Sequence, residues 1–276
     1  MNQVWNIARK ELSDGLRNRW MLAISLVFAL LAVGIAWFGA AASGQVGFTS
    51  IPATIASLAS LATFLMPLNA LLLAYDAIVG EEEGGTLMLL LTYPLSRGQI
   101  LLGKFVGHGM ILGLATLIGF GCAALAIAVL VPDIELGTLI WAFTRFIISS
   151  TLLGLVFLAL AYVLSSSANE KSTAAGLALG LWFLFVLVFD LALLAILVIS
   201  EGSFNPDALP WLLLLNPADI YRLINLAGFE SSTSTVGVMA LAGDLPVSSS
   251  VLWGCLVGWV GASLALAHWM FSRRAA

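Results

Sequence analysis

The sequence predicts an all-α, polytopic membrane protein with six transmembrane helices. Of its 276 residues, 61% are hydrophobic and only 9% are charged, whereas soluble domains carry about 25% charged residues. Six apolar runs reach the roughly 20 residues that a helix needs to cross a bilayer core of about 30 Å. We therefore expect residues 1–276 to form a single transmembrane domain.

The predicted spans lie near residues 20–41, 53–79, 101–131, 138–164, 173–199 and 250–271. The third run is longer than a crossing requires, so it is expected to tilt or to extend into the cytoplasm. The two cysteines, Cys122 and Cys255, lie inside apolar runs without a Cys-x-x-Cys spacing, which indicates neither a disulfide framework nor a zinc site.

Lysine and arginine set the orientation, because cytoplasmic loops of membrane proteins are enriched in both. With a cytoplasmic N-terminus, nine of the eleven basic residues fall inside: Arg9, Lys10, Arg17, Arg19, Arg97, Lys104, Lys171, Arg273 and Arg274. Only Arg222 then falls in an outer loop, and Arg145 lies within a span. Both termini are therefore predicted to be cytoplasmic. The charges form no basic patch, so no nucleic-acid partner is expected.

The leader, residues 1–19, has the pattern of an amphipathic helix. Trp5, Ala8, Leu12 and Leu16 share one helical face, and the charged residues lie towards the other. Such a helix can lie in the inner membrane interface, in contact with lipid. The alternative is a basic flank that only sets the topology.

A polar insert, residues 80–100, separates the second and third spans. Glu81, Glu82 and Glu83 are expected to cap the positive end of a short helix, and Pro94 is expected to end it. This predicts a helix held outside the lipid and gripped by something cytoplasmic. The alternative is that the acidic run only solvates a loop.

The segment 201–249 is the longest polar stretch and is predicted to lie outside. Its apolar piece, 211–215, is too short to span, and Asn216-Pro217 is expected to begin a helix. We expect this periplasmic segment to dip into the membrane as a re-entrant element or to lie on its outer surface.

Arg145 and Asp190 are the two charges predicted well inside spans, where each costs about 2.5–3.5 kcal/mol on insertion scales. Their estimated depths differ by about one helical turn, which suggests an intramembrane pair. The alternative is that Arg145 reaches outwards while Asp190 is neutral or faces another subunit.

Two other functions would need particular residues, a metal path or an enzyme site. His108, His268, the cysteines and the methionines are soft-metal ligands, but none has a ligand spacing, so a copper(I) path remains only an alternative. An intramembrane enzyme is a second alternative, although the histidines and Asp190 are predicted in opposite halves. There is no phosphate loop, so we expect no nucleotide hydrolysis and no cofactor in this chain.

The insert resembles the permease signature of type-2 ABC exporters: an acidic run, Gly-Thr-Leu, Pro-Leu-Ser-Arg and then Gly-Lys. The resemblance implies a homodimeric subunit of a bacterial inner-membrane transporter, docked to a separate cytoplasmic ATPase that binds ATP and Mg. The implied coupling residues are Glu81, Glu82, Glu83, Gly85, Thr86, Leu87, Pro94, Ser96 and Arg97. A secondary cytoplasmic loop is expected at Asn169, Glu170 and Lys171.

The stretches "LLLLNPADIYRLINLAGFE" and "YPLSRGQILLGKFVGH" resemble the membrane subunits of bacterial ABC systems that mature the copper centres of nitrous oxide reductase. This resemblance implies a role in copper or sulfur supply during denitrification, with a periplasmic accessory protein on the outer segment. The implied contacts are Asn216, Pro217, Asp219, Tyr221 and Arg222. Substrate transport and mechanical work both remain open, and the lack of a polar path favours force transmission.

Overall fold

The computed structural model describes residues 3–17, 19–38, 47–48, 50–199, 209–226 and 248–274, without the side chains of residues 19–25, 91 and 226. Every regular element in these ranges is helical, which confirms the all-α prediction. The helices are α1 Gln3–Arg17, α2 Arg19–Phe38, α3 Ile51–Ala74, α4 Val79–Glu83, α5 Thr86–Thr92, α6 Arg97–Leu130, α7 Leu136–Ser167, α8 Lys171–Phe183, a π-helical segment Leu184–Val188, α9 Phe189–Ile199, α10 Leu209–Leu213, α11 Pro217–Leu226 and α12 Ser249–Arg273.

Five described helical stretches are long and apolar enough to cross a membrane: Ile51–Glu83, Arg97–Leu130, Leu136–Ser167, Lys171–Ile199 and Ser249–Arg273. The helix α2 lies where the first span is predicted, and its apolar part with described side chains is Leu26–Phe38. The six predicted spans thus correspond in position to α2 and these five stretches. Below, the inner end of the bundle is the end that carries α4 and α5, which is predicted to face the cytoplasm.

The helix α7 lies at the centre of the bundle, where it packs against α3, α6 and α12. Large aromatic side chains make some of these contacts, and at small residues the helix backbones approach closely. Phe146 packs edge-on against Phe120 of α6, with 4.7 Å between ring centroids. At Gly154, an added Cβ would lie 2.5 Å from a Leu112 methyl group, so α6 and α7 approach closely there.

The helix α1 lies lengthwise along the inner part of α6. Gly103 and Gly107 form the groove, since a Cβ at Gly103 would lie 2.6 Å from the Ile7 Cβ and one at Gly107 would lie 2.9 Å from the Ala8 carbonyl oxygen. With 34 residues, α6 is about 51 Å long, well beyond the roughly 30 Å of a bilayer core. Contact of α1 with lipid stays a prediction. Both α1 and α2 pack along α6.

Candidate functional site

The polar insert forms a compact structure at the inner end, here called the coupling element and comprising residues 76–97. It begins where the Ile78 and Val79 amides donate to the Ser165 hydroxyl, at 2.9 and 3.1 Å. Gly85, with a positive φ of 70°, separates α4 from α5, because the left-handed region is readily accessible to glycine. The insert was predicted to contain one helix from the acidic run onwards, and this is wrong. The helix does end before Pro94, as predicted.

The three glutamates of α4 each bind a different part of the chain. Glu81 accepts a hydrogen bond from Lys104 Nζ at 2.8 Å, Glu82 forms an ion pair with Arg274, and Glu83 accepts from the Lys171 amide at 2.7 Å. The prediction that they cap the following helix is wrong, because Gly85 occupies that cap without a side-chain bond. Glu83 instead satisfies a free amide at the start of α8.

Lys104 joins the coupling element to the N-terminal helix. Its Nζ lies 2.8 Å from Glu81 and 3.0 Å from Glu11, and its side chain is only 6% exposed. On the other side of Glu11, His108 Nε2 lies 3.6 Å away, and His108 Nδ1 shares a 2.7 Å hydrogen bond with the hydroxyl of Tyr162. A continuous set of polar side chains therefore connects α4, α1, α6 and the core of α7.

The C-terminal end of α12 closes the same site. Arg97 donates to the carbonyl oxygens of Phe271 and Arg274, at 2.6 Å each. Arg274 donates to the carbonyls of Ser165 and Ala168. These contacts satisfy backbone carbonyls at the ends of α12 and α7, so the two helix ends are held beside the coupling element.

The outward face of the coupling element is apolar. Met88, Leu89 and Tyr93 are 59%, 64% and 65% exposed, and we call these three side chains the coupling patch. Leu87 of the same helix is buried. Exposed apolar side chains on a helix of seven residues, which is too short to span a membrane, are typical of a protein-binding surface.

Most of the predicted coupling residues make contacts within the chain. Glu81 to Glu83 do so through the contacts above, Thr86 by donating to the Glu81 carboxylate, Leu87 by burial, Ser96 as the N-cap of α6 with Gln99, and Arg97 at α12. Gly85 and Pro94 are exposed, and so are Glu82, Glu83, Thr86 and Ser96 despite their contacts. The coupling patch was missed, although an apolar helix of seven residues, too short to span and set between polar turns, could have indicated it.

The secondary loop lies directly beside the coupling element. Asn169 and Glu170 are exposed, while the Lys171 amide is bound by Glu83. The lysine side chain lies over α4, because a Cβ at Gly80 would meet its Cε at 2.9 Å. The two loops predicted to face the ATPase therefore form one contiguous surface.

The outer segment folds back into the bundle. Of the two predicted arrangements, this corresponds to the re-entrant element and not to a segment lying on the outer surface. The helices α10 and α11 meet at Asn216, and α11 packs against α3, α7 and α12. The tip reaches the middle of the fifth span, because Asn216 Nδ2 donates to the Phe185 carbonyl at 2.9 Å. Residues 201–208 and 227–247 of the predicted segment lie outside the described residues.

Most of the predicted periplasmic contacts are buried within the chain, so their predicted exposure to a partner is wrong for this conformation. Asn216, Pro217, Asp219 and Tyr221 are buried. The Tyr221 hydroxyl shares a 2.9 Å hydrogen bond with Ser150 of α7. Buried polar groups need such partners, and here the bundle itself supplies them.

The predicted pair of Arg145 and Asp190 does not form. Asp190 forms an ion pair with Arg222 of α11, whose Nη1 also lies 3.0 Å from Asp219. Arg145 instead donates to the Ile224 carbonyl at 2.8 Å, at the negative end of the α11 dipole. The re-entrant fold brings Arg222 to the depth of Asp190, and the sequence did not indicate this.

Comparisons with known proteins agree with this architecture. The profile of the ABC-2 family transporter proteins matches residues 5–276. A curated relative from Stutzerimonas stutzeri, named "Probable ABC transporter permease protein NosY", is 80% identical over 274 residues, which cover 99% of both chains. A protein of the same name from Pseudomonas aeruginosa is 74% identical over 274 residues, again with 99% of both chains covered.

Proposed function

Since the chain belongs to the ABC-2 family of transporter proteins, we propose that its coupling patch is the surface on which the partner ATPase acts. The chain is the membrane subunit of an ABC transporter, so it works with a separate ATPase and lies in the bacterial inner membrane. The ATPase would contact Met88, Leu89 and Tyr93 together with the exposed loop at Asn169 and Glu170. In this arrangement both chain termini lie in the cytoplasm.

The observation that carries the proposal is a contrast within the coupling element. Its three glutamates are held by Lys104, Arg274 and the start of α8, although Glu82 and Glu83 stay partly exposed. The apolar side chains of Met88, Leu89 and Tyr93 are exposed and are not packed into the bundle. A loop that only needed to be soluble would show the reverse arrangement. An element anchored by ion pairs on one side and apolar on the other is suited to receive force from a bound partner.

The physiological role that we propose is the maturation of the copper centres of nitrous oxide reductase, by supply of copper or sulfur or by mechanical work on an accessory protein. Support comes from the two sequence stretches described above and from full-length relatives that carry the permease name given earlier. The transporter would hold two copies of this chain. The accessory protein would bind at the periplasmic surface rather than at the buried residues of α11.

The experiment is co-purification of the tagged chain with its ATPase from membranes. The double variant Met88→Asp with Leu89→Asp should lose at least nine-tenths of the bound ATPase, because burial of a charge in an apolar contact is costly. The matched control is Thr92→Asp, which adds a charge at an exposed position of the same helix without removing apolar surface. Wild-type recovery of the ATPase with the double variant would refute the proposed contact.

A further inference from the structure

We propose that the fifth span, residues 171–199, is a hinged lever that carries movement of the coupling element to the re-entrant segment α10–α11. Its inner end is bound by Glu83, its hinge is the π-helical segment, which Asn216 contacts, and its outer half is bound to α11 by Asp190. The inference rests on the proposed function, which supplies the input at the coupling element.

The inner attachment is direct. The first residue of α8, Lys171, donates its backbone amide to Glu83 at 2.7 Å. A displacement of α4 therefore acts on the N-terminal end of α8 through a charge-assisted hydrogen bond, which is among the stronger kinds.

Within one chain, the fifth span also packs least against the rest of the bundle. Of the five stretches with fully described side chains, Lys171–Ile199 has the smallest buried share. The helix α7, by contrast, is fixed from three sides. A span that makes few contacts costs less to reorient than a central one, because fewer packed side chains must separate.

The hinge lies about 20 Å along this span from Lys171, at 1.5 Å per residue. Leu184–Val188 is a π-helical segment, in which the Phe189 amide bonds back to the Leu184 carbonyl. Such segments interrupt the α-helical ladder and are points at which helices bend. Just before it, Trp182 Nε1 donates to the Phe64 carbonyl of α3 at 3.0 Å, which supplies a fixed pivot.

The outer attachment has two parts, one at the hinge and one beyond it. Asn216 Nδ2 donates to the Phe185 carbonyl inside the π-helical segment. Beyond the hinge, Asp190 forms an ion pair with Arg222 of α11. A charge pair within the membrane is costly to separate, so α9 and α11 move together if α9 moves.

The test is hydrogen exchange of the chain complexed with its ATPase in lipid nanodiscs, with ADP and with ATP, Mg and vanadate. Peptides over residues 79–92 report the inner end, and peptides over 209–226 report the re-entrant segment. Two variants weaken the outer attachment: Asp190→Asn, which is almost isosteric, and Asn216→Ser, which keeps an oxygen to accept from the Ala218 amide. The control, Ser150→Ala, removes a hydrogen bond between the same segment and α7.

In the wild type and the Ser150→Ala control, ATP should change exchange at both ends. In Asp190→Asn and Asn216→Ser, the inner response should persist while the outer response falls at least fivefold. Full outer responses in both variants, or a wild type whose inner end responds without the outer, would overturn the lever. A wild type without an inner response would instead refute the proposed function and leave the lever without an input.

Discussion

The substitution Lys104→Met tests whether the coupling element is held by its buried cation. Methionine keeps most of the apolar stem of lysine but removes the ammonium, which lies 2.8 Å from Glu81 and 3.0 Å from Glu11. Removal of one partner of a buried ion pair costs about 3–5 kcal/mol. We take the lower value, about 3 kcal/mol, because the Glu81 side chain is 21% exposed and regains water when it swings out.

A loss of about 3 kcal/mol raises the open population of the element by about 150-fold, since 1.36 kcal/mol corresponds to a factor of ten. Local opening is read directly from amide hydrogen exchange, so amides of α4 should exchange about 100-fold faster in Lys104→Met. The control is Lys10→Met, because Lys10 also pairs with Glu11 but is 66% exposed. That surface pair contributes at most about 1 kcal/mol. Exchange in Lys104→Met within threefold of wild type would refute the reasoning.

Two further predictions concern the elements around the site. Gly107→Val should displace α1, because even a Cβ at this position would lie 2.9 Å from the Ala8 carbonyl oxygen. The measurement is maleimide labelling of an Ala8→Cys variant that lacks the native cysteines, and the labelling should rise at least tenfold. The control Gly121→Val, whose added Cβ meets open space, should leave the labelling unchanged. Arg274→Gln should weaken ATPase binding about tenfold, because it releases Glu82 and two carbonyls at the end of α7. The control Arg273→Gln, which loses only a stack on Trp269, should bind the ATPase normally. Equal ATPase affinities for the two variants would contradict the anchoring role of Arg274.

The sequence predicted the features that depend on local patterns. Apolar length located the spans, because a helix must supply about 20 apolar residues to cross lipid. Pro94 predicted that the helix before it ends there, and the Asn216-Pro217 pair predicted the start of α11. Each of these follows from the chemistry of neighbouring residues alone.

The features that the sequence did not predict depend on contacts between distant residues. The partners of Glu81 and Glu82, Lys104 and Arg274, lie 23 and 192 positions away. Asp190 was paired with Arg145 by depth, yet the re-entrant fold brings Arg222 to it. The π-helical segment has no distinguishing composition, since LFVLV suits an ordinary span equally well.

The coupling patch was overlooked for a related reason. In a chain that is 61% hydrophobic, a few more apolar residues do not stand out, whereas three consecutive glutamates do. The structure reverses the roles, because the glutamates anchor the element and Met88 and Leu89 are exposed. Contacts within the chain, rather than residue type, separate the anchor from the contact surface.

The most direct test of the central claim is photo-crosslinking from the coupling patch in native membranes. A photoreactive amino acid at position 89 should crosslink to the ATPase, whereas the same group at Leu136, an exposed position at the opposite end of the bundle, should not. Crosslinks to the ATPase from position 136, or none from position 89 while the ATPase remains bound, would contradict the account.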